Sequence, residues 1–338
     1  MIVEMRKGAS KEEVGAVVQK AKSLDLGVQL NIGTDKTVVA LLGSNTGQID
    51  KGIFEVLPGV ESVTRIMKPY KLASREFRPR NTIVDCSGVK IGGERIIVMA
   101  GPCAVESEEQ LMKAVEGVKK AGASIMRGGA FKPRTSPFSF QGLQKKGLEL
   151  LAKAKEQYGL PIVTEVVDPL DVELVATYAD MLQIGSRNMQ NFSLLTNAGK
   201  SQRPVVLKRG FSNTITEWLT AADYLLAEGK NKVVLCERGI RTFEDSIRFS
   251  LDISAVPVLK KSTHLPVIVD PSHAAGHYSL VPAIAKAAVA AGADGLLIEV
   301  HPNPKEALVD GIQSLSISDF TRLMGELRII AKAVGREI

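Results

Sequence analysis

Short apolar runs alternate with helical segments along the chain from residue 96 onward. Eight such runs recur, at Ile96–Ala100, Ser124–Arg127, Ile162–Val166, Met181–Ile184, Val205–Lys208, Val233–Glu237, Val267–Asp270 and Gly295–Val300. Between them the apolar residues follow helical spacing, as Leu111, Val115 and Val118 do after the first run. Strand–helix alternation repeated eight times predicts a parallel sheet that closes into a (β/α)8 TIM barrel over residues 96–338.

An open, doubly wound sheet is the competing architecture for this alternation. Such folds normally carry a glycine-rich nucleotide-binding turn directly after the first strand. In this chain the first apolar run is followed by Gly101-Pro102-Cys103, which does not match that turn. The pattern therefore favours the closed barrel.

The first 67 residues follow a different pattern. A capping box at Ser10 and Glu13 precedes apolar residues at helical spacing, and a glycine-containing turn between two apolar runs indicates a hairpin. In chain order we expect strand Ile2–Met5, a helix after Ser10, strands Val28–Ile32 and Thr37–Leu42, helix Gln48–Val56 and strand Val60–Met67. This β-α-β-β-α-β order is typical of a small ferredoxin-like α+β domain. Residues 68–95, with several prolines and glycines, predict a linker and a short β-hairpin at 82–85 and 89–91.

Composition and charge narrow the class of protein. A net charge of +6 is compatible with nucleic acid, a membrane surface or small anions, but the basic residues form no polybasic run and do not alternate with aromatic residues. No apolar run approaches the roughly 20 residues of a membrane span. The first residues do not resemble a secretory signal, and three cysteines imply no disulfide framework. We expect a cytoplasmic protein that binds small anions, without nucleic-acid or membrane partners.

Basic side chains are concentrated just past the predicted barrel strands, where barrel enzymes place their chemistry. The set comprises Arg127, Lys132, Arg134, Arg187, Lys208 and Arg238. Any one of them could pair with a nearby carboxylate, but few acidic residues share this end of the barrel. Guanidinium groups match carboxylate and phosphate oxygens, and glycine-rich turns expose backbone N–H groups to phosphate. The set as a whole predicts a substrate with at least two anionic groups.

A second set at the same end combines thiol, imidazole and carboxylate groups. Its members are Cys103, His273, Glu299 and Asp310, which follow the first, seventh and eighth strands. A single cysteine or histidine is more often a buried structural residue, but closure of the barrel makes these strands neighbours. The donor types suit one divalent transition metal ion, such as Mn, Fe, Co or Zn.

Six motifs in order closely resemble the 3-deoxy-D-arabino-heptulosonate 7-phosphate synthase family. They are Gly101-Pro102-Cys103, Lys132-Pro133-Arg134-Thr135-Ser136, Ile184-Gly185-Ser186-Arg187, Leu207-Lys208-Arg209-Gly210, Asp270-Pro271-Ser272-His273 and Glu299-Val300-His301-Pro302. The resemblance covers the barrel from residue 96 to about 334. It implies condensation of phosphoenolpyruvate with erythrose 4-phosphate, the first step of the shikimate pathway to aromatic amino acids. Residues 1–67 resemble the regulatory domain of one subgroup.

The resemblance also implies a role for each matching residue. Phosphoenolpyruvate would be bound by Arg127, Lys132, Gly185, Ser186, Arg187, Lys208 and Arg238. Erythrose 4-phosphate would be bound by Arg134, Thr135, Ser136 and Asp270. The metal ligands would be Cys103, His273, Glu299 and Asp310, and the catalytic residues Lys132, Asp270 and His273.

Other activities stay open at this point. The related 3-deoxy-octulosonate 8-phosphate synthases use arabinose 5-phosphate, but usually carry Asn-Arg-Ser where this chain has Pro133-Arg134-Thr135-Ser136. Lys208 at a strand end could form the Schiff base of a class I aldolase. A third alternative is a non-catalytic phosphate-binding barrel.

For residues 1–67 the resemblance implies an allosteric domain that binds tyrosine or phenylalanine, and the alternative is an oligomerisation module. We expect a homo-oligomer, a tetramer by resemblance.

Overall fold

The computed structural model describes residues 1–33, 36–43, 46–65, 68–134, 136–229 and 232–338. These residues divide into two compact units, one formed by Met1–Asn81 with Ser262–His264 and the other by Thr82–Lys261 with Leu265–Ile338. The division falls inside the stretch 68–95. The predicted hairpin is present there at 84–86 and 89–91, whereas the assignment of this stretch as a linker between two domains stays a prediction. No helix among the described residues is both long and apolar enough to span a bilayer.

The first unit contains a four-stranded antiparallel sheet in the order β2-β3-β1-β4. Its elements are β1 (Ile2–Met5), α1 (Lys11–Ser23), β2 (Gly27–Ile32), β3 (Thr37–Leu42), α2 (Gly52–Glu55) and β4 (Val60–Thr64). The capping box at Ser10 and Glu13 is present, and the ferredoxin-like prediction is confirmed. The predicted helix Gln48–Val56 was too long, because residues 46–51 are not helical and α2 covers Gly52–Glu55 only. The predicted end of β4 at residues 66–67 lies outside the described residues.

The second unit is a closed barrel of eight parallel strands, as predicted. Its strands are β7 (Ile97–Gly101), β8 (Ile125–Arg127), β9 (Ile162–Glu165), β10 (Met181–Ile184), β11 (Val205–Lys208), β12 (Val233–Glu237), β13 (Val267–Val269) and β14 (Gly295–Glu299). The barrel closes where β14 pairs with β7, in a register that sets Glu299 beside Gly101. The first and last strands of the barrel are therefore neighbours, so the residues that follow β7 lie next to those that follow β14.

Helices surround the barrel between its strands. They are α3 (Glu108–Ala121), α4 (Gln144–Tyr158), α5 (Val172–Tyr178), α6 (Phe192–Lys200), α7 (Ile215–Ala227), α8 (Ala255–Ser262), α9 (Pro271–Ala275), α10 (Val281–Ala290) and α11 (Ile317–Ala333). A hairpin of β5 (Val84–Cys86) and β6 (Val89–Ile91) packs on the apolar interior of the barrel. Ser87 at its turn donates to Asp180, which precedes β10, so the hairpin covers the amino end of the barrel. The opposite, carboxyl end is left for the site.

Candidate active site and metal centre

The loops that follow the barrel strands enclose a cavity of about 290 Å³. Many of the predicted site residues line it, namely Lys132, Arg134, Ser136, Gly185, Ser186, Arg187, Lys208, Arg238, His273 and Asp310. Four others, Cys103, Arg127, Asp270 and Glu299, are buried and do not line the cavity; Arg127 pairs with Glu299, and Asp270 pairs with Lys208. The predicted Thr135 lies outside the described residues. The strand ends thus gather most of the predicted cations around one space.

Two glycines allow the backbone to approach neighbouring groups at this end of the barrel. Gly185 follows β10, and a Cβ atom there would overlap the carboxylate of Glu165 on the neighbouring β9. Gly101 has φ of +151°, and a Cβ atom there would overlap the carbonyl oxygen of Arg127. Substitution at either position would displace a side chain or a strand end of the site.

Cys103, His273, Glu299 and Asp310 form a compact cluster in which one donor atom from each lies within 4.8 Å of the others. The Cys103 Sγ is 3.3 Å from Asp310 Oδ2. The His273 Nε2 is 3.6 Å from Glu299 Oε1 and 3.9 Å from Asp310 Oδ2. Donors that each lie about 2.0–2.3 Å from a shared ion are separated by up to about 4.6 Å, so the spacing is close to that of a metal site. The donor set fits a borderline divalent cation.

Several groups hold the Glu299 carboxylate in place within this cluster. Arg127 Nη1 donates to Oε1 at 2.9 Å, and Gln313 Nε2 donates to Oε2 at 2.6 Å. Burial would raise the pKa of Glu299, but His273 and Arg127 outweigh it and lower that pKa to about 2. The carboxylate is therefore charged at neutral pH and oriented by two donors, as ligands of metal ions usually are.

The Cys103 thiol is the member of the cluster that contacts Lys132, a cation of the cavity lining. Burial raises its pKa above the ordinary value, and the charge of Glu299 adds to this shift. Lys132 Nζ donates to the Sγ of Cys103 at 3.2 Å and to the carbonyl oxygen of Cys103 at 3.0 Å. Because a thiol must lose its proton to bind a metal, a cation entering here would displace that proton. The Lys132 ammonium is placed to stabilise the resulting thiolate.

Asp270 connects the metal cluster with the cationic wall. Its Oδ2 lies 2.5 Å from Lys208 Nζ and 2.7 Å from His273 Nδ1, and its Oδ1 accepts from the His273 backbone N–H at 2.9 Å. Burial opposes the charge of Asp270, but His273 and Lys208 hold its pKa well below the usual range. Burial lowers the pKa of His273, which favours the neutral imidazole that binds metals. Asp270 orients the histidine so that Nε2 faces the other three donors.

Arg238 and Arg187 carry the positive charge on the other side of the cavity. Arg238 is buried, its Nη1 has no hydrogen-bond partner among the described residues, and burial lowers its pKa to about 10. Arg187 is exposed to solvent and also lines the cavity, and its Cζ lies 5.4 Å from the ring centre of Phe211. A buried guanidinium with an unpaired donor is costly unless an anion completes it. This wall is therefore suited to an anionic ligand.

Sequence reasoning missed four residues of the site: Phe211, Arg248, Phe249 and Gln313. Phe211, Arg248 and Phe249 line the cavity, while Arg248 Nη1 lies 3.2 Å from Asp310 Oδ1 and 2.5 Å from Gln313 Oε1. Phe211 directly follows the Lys208-Arg209-Gly210 motif, so its position was available as a signal. Arg248 and Phe249 lie in the loop after β12, and Gln313 ends a short 3-10 helix, so no apolar periodicity identifies them.

Comparison with known proteins agrees with this geometry. Residues 76–333 match the DAHP synthetase I family, and residues 1–68 match the DAHP synthase ferredoxin-like domain. The chain is 48% identical to the phospho-2-dehydro-3-deoxyheptonate aldolase of Thermotoga maritima, with 100% of both chains covered. It is 32% identical to the 2-dehydro-3-deoxyphosphooctonate aldolase of Desulfotalea psychrophila, with 73% of this chain and 94% of the relative covered.

Solved structures give the same result. A crystal structure of phospho-2-dehydro-3-deoxyheptonate aldolase from Thermotoga maritima matches with a TM-score of 0.79 and 48% identity, covering 99% of this chain and 98% of that one. A truncated form of 3-deoxy-D-arabino-heptulosonate 7-phosphate synthase from the same organism matches with a TM-score of 0.75 and 47% identity, covering 80% of this chain and 99% of that one. The predicted fold and the resemblance are confirmed. The chain belongs to the DAHP synthetase I family and carries that family's ferredoxin-like domain at its amino end.

Proposed function

We propose that the barrel cavity condenses phosphoenolpyruvate with erythrose 4-phosphate to form 3-deoxy-D-arabino-heptulosonate 7-phosphate and inorganic phosphate. The observation that carries this proposal is the cluster of four metal-type donors directly beside a cavity lined by arginine and lysine. Family membership supports an enzyme that forms a carbon–carbon bond in aromatic amino acid biosynthesis. The cluster and the cations are two parts of one site, since Asp270 contacts both His273 and Lys208.

The cationic wall would bind phosphoenolpyruvate. Its phosphate and carboxylate require several donors, which Lys132, Arg187, Lys208 and Arg238 supply from the carboxyl end of β11 and from the segments after β8, β10 and β12. The backbone of Gly185-Ser186 lies in the same cavity and would assist. The predicted contact with Arg127 is supported less directly, because its Nη1 donates to Glu299 and to the carbonyl oxygen of Pro102. We assign Arg127 chiefly to charge balance beneath the cavity.

Erythrose 4-phosphate would bind at the edge of the cavity formed by the loop after β8. Arg134 and Ser136 line this edge, and the intervening Thr135 is assigned by resemblance alone. Asp270 would lie near the aldehyde through its contacts with His273 rather than on the cavity wall. The two substrates are both anions, so holding them together against their repulsion is a large part of the task of the cationic side chains.

The four donors Cys103, His273, Glu299 and Asp310 would hold one divalent metal ion, with Mn, Fe, Co and Zn as candidates. When bound, such an ion supplies Lewis-acid polarisation to the aldehyde oxygen. The chain's own residues prepare the site for it: Asp270 orients His273, Gln313 orients Glu299, and Lys132 stabilises the Cys103 thiolate.

The bond-forming step needs no base to generate its nucleophile. Carbon 3 of the enol phosphate attacks the aldehyde carbon, and water captures the positive charge that develops at carbon 2. The resulting hemiketal phosphate then expels inorganic phosphate. Lys132 and Glu165 both line the cavity, so either can move a proton during water capture, and the ammonium of Lys132 can stabilise charge on the departing phosphate.

The Schiff-base alternative receives less support from the contacts of Lys208. Its Nζ lies 2.5 Å from the buried Asp270 carboxylate and is engaged in that ion pair, whereas a Schiff base requires a lysine nitrogen that is free to attack a carbonyl carbon. The octulosonate alternative is also weaker, since the chain is 32% identical to that relative and 48% identical to the heptonate aldolase.

Product formation with each aldose tests the proposed function. We expect phosphate release from phosphoenolpyruvate with erythrose 4-phosphate, a much lower rate with arabinose 5-phosphate, loss of activity with a chelator and recovery with Mn²⁺. Borohydride added with both substrates should not inactivate the enzyme. A higher rate with arabinose 5-phosphate, or chelator-resistant activity that borohydride abolishes, would overturn the proposal.

We further propose that the ferredoxin-like domain binds tyrosine or phenylalanine and reduces activity, and that the enzyme is a homotetramer. Support comes from the match of residues 1–68 to the DAHP synthase ferredoxin-like domain. A variant without residues 1–67 should retain activity and lose inhibition by these amino acids. Equal inhibition of the full and shortened chains would reject the regulatory role, and sedimentation of the full chain measures the oligomer.

A further inference from the structure

Two phenylalanine rings stand behind the arginines of the cavity. Phe211 follows β11, and Phe249 lies in the loop after β12; their rings are stacked, with centroids 5.1 Å apart and planes 8° apart. Both rings line the cavity. We call the two rings the aromatic pair. The pair is a built feature of the site that neither strand pattern nor cationic motif predicts.

Three guanidinium groups surround the aromatic pair. The Cζ of Arg238 lies 3.8 Å from the Phe249 centroid and 5.1 Å from the Phe211 centroid. Arg187 and Arg241 lie 5.4 Å and 5.6 Å from the centre of Phe211. Cations within about 6 Å of an aromatic face are attracted by its quadrupole. The rings therefore offset the mutual repulsion of like charges held near one another.

The group that compensates the charge of Arg238 decides whether its N–H donors stay free to bind an anion. A carboxylate partner would occupy the N–H donors of Arg238 and would compete with any incoming anion. An aromatic face contacts the flat side of the guanidinium and leaves its N–H edge free. Consistent with this, Arg238 Nη1 is buried and has no hydrogen-bond partner among the described residues. Its neighbour Arg209, by contrast, is engaged with Glu237 and Asp252 and does not line the cavity.

The backbone fixes the position of Phe249 as well. Its N–H donates to the carbonyl oxygen of Ala274, the residue after His273. The next residue, Ser250, pairs with Ile240 in both directions, which joins the two arms of the loop that carries Arg238. Gly239 has φ of +88°, and a Cβ atom there would lie 2.7 Å from Phe249 Cβ. The ring is therefore held at close range to Arg238.

We propose that Phe211 and Phe249 are positioning residues for the anionic substrate, which hold Arg238 and Arg187 at the cavity with their N–H donors unoccupied. The identity of the anion, phosphoenolpyruvate, rests on the proposed function. The presence of an anion site at these arginines does not rest on it. The aromatic pair acts on affinity for that anion and not on binding of the metal.

The test compares Phe249→Leu with Phe249→Tyr. Leucine keeps apolar bulk and removes the quadrupole, whereas tyrosine keeps an aromatic face. A cation–π contact of the desolvated kind corresponds to a change of roughly five- to thirty-fold in affinity. We expect the dissociation constant and the KM for phosphoenolpyruvate to rise by that factor in the leucine variant. The KM for erythrose 4-phosphate and the dissociation constant for Mn²⁺ should change less than about two-fold, and the tyrosine variant should stay within about three-fold of wild type.

A matched control exists in a second stacked pair. Phe192 and Tyr224 have centroids 4.4 Å apart and lie on α6 and α7, outside the cavity lining. Phe192→Leu should leave phosphoenolpyruvate affinity unchanged. Phe211→Leu provides a second test if Phe249→Leu does not fold, and should weaken binding in the same direction.

Isothermal titration with phosphoenolpyruvate and, separately, with inorganic phosphate distinguishes this inference from the proposed function. Weaker binding of both anions by the leucine variants, with recovery in Phe249→Tyr, supports the aromatic pair even if wild type forms no heptulosonate product. Wild-type product formation with unchanged anion affinity in both leucine variants overturns the inference and leaves the function standing. Equal losses in the leucine and tyrosine variants would also overturn it, since they indicate a role in packing alone.

Discussion

The buried ion pair between Arg127 and Glu299 allows a quantitative test of the charge balance at the proposed metal site. The two side chains are 4% and 1% exposed, and Arg127 Nη1 lies 2.9 Å from Glu299 Oε1. Replacing Arg127 with methionine keeps much of the volume but leaves the Glu299 carboxylate without its arginine and the Pro102 carbonyl oxygen without a donor. Removing one partner of a buried pair typically costs about 3–5 kcal/mol.

This loss in the free energy of unfolding lowers the melting temperature, Tm. In a domain of this size each kcal/mol lowers Tm by roughly 2–4 °C, so Arg127→Met should lower the Tm of the metal-free protein by about 6–20 °C. A bound divalent cation would supply positive charge next to Glu299 and replace part of what the arginine gave. In saturating Mn²⁺ the loss should therefore fall to about half or less of that in chelator.

Scanning calorimetry in chelator and in Mn²⁺ measures both shifts. Arg322→Met is the matched control, because Arg322 pairs with Asp319 on the surface of α11 with 69% of its side chain exposed. Exposed pairs contribute below about 1 kcal/mol, so this control should shift Tm by no more than about 4 °C. A shift for Arg127→Met as small as that of the control, or one of equal size with and without metal, would contradict the role assigned to this ion pair beside the metal site.

Three further predictions follow from single contacts. Gln313→Leu removes a donor to Glu299 and should weaken Mn²⁺ binding by about 10–100-fold in a competition titration; affinity within about three-fold of wild type would reject the role of that contact. Gly185→Ala should lower kcat/KM at least about ten-fold, because the added methyl group would displace the carboxylate of Glu165 in the cavity. Wild-type kinetics in this variant would contradict that expectation. Burial lowers the pKa of His264 to about 4, and its Nε2 donates to the Leu72 carbonyl oxygen at 2.8 Å. Since the unfolded chain takes up that proton near pH 6.5, the free energy of unfolding should fall between about pH 6.5 and 4 by up to about 3 kcal/mol, and urea titrations of His264→Gln should show a shallower pH dependence.

The barrel could be predicted because its signal is repeated. Each buried parallel strand reads as an apolar run, and helical periodicity between the runs leaves little freedom in their order. Closure pairs β14 with β7, and this register sets Glu299 beside Gly101 and so close to Cys103. The convergence of these metal-type donors therefore follows from the topology of the barrel. The extent of α2 was mispredicted because Ile49 and Ile53 are at helical spacing, whereas residues 46–51 are not helical and the helix covers only Gly52–Glu55.

The depth of individual side chains could not be predicted. Arg127 and Lys208 both end barrel strands, but Arg127 is engaged with Glu299 beneath the cavity while Lys208 lines it. Phe249 was missed because it lies in a long irregular loop whose position is set by backbone contacts to Ala274 and by the approach of Gly239. Such contacts depend on tertiary structure, and a pattern of apolar and polar positions carries no record of them.

Anomalous diffraction from crystals grown with Mn²⁺ and phosphoenolpyruvate tests the metal centre and the anion site together. We expect one manganese peak among Cys103, His273, Glu299 and Asp310, with the substrate phosphate or carboxylate bound to Arg238 in the adjoining cavity. A manganese peak away from these four residues, or phosphoenolpyruvate bound outside the cavity, would contradict this expectation.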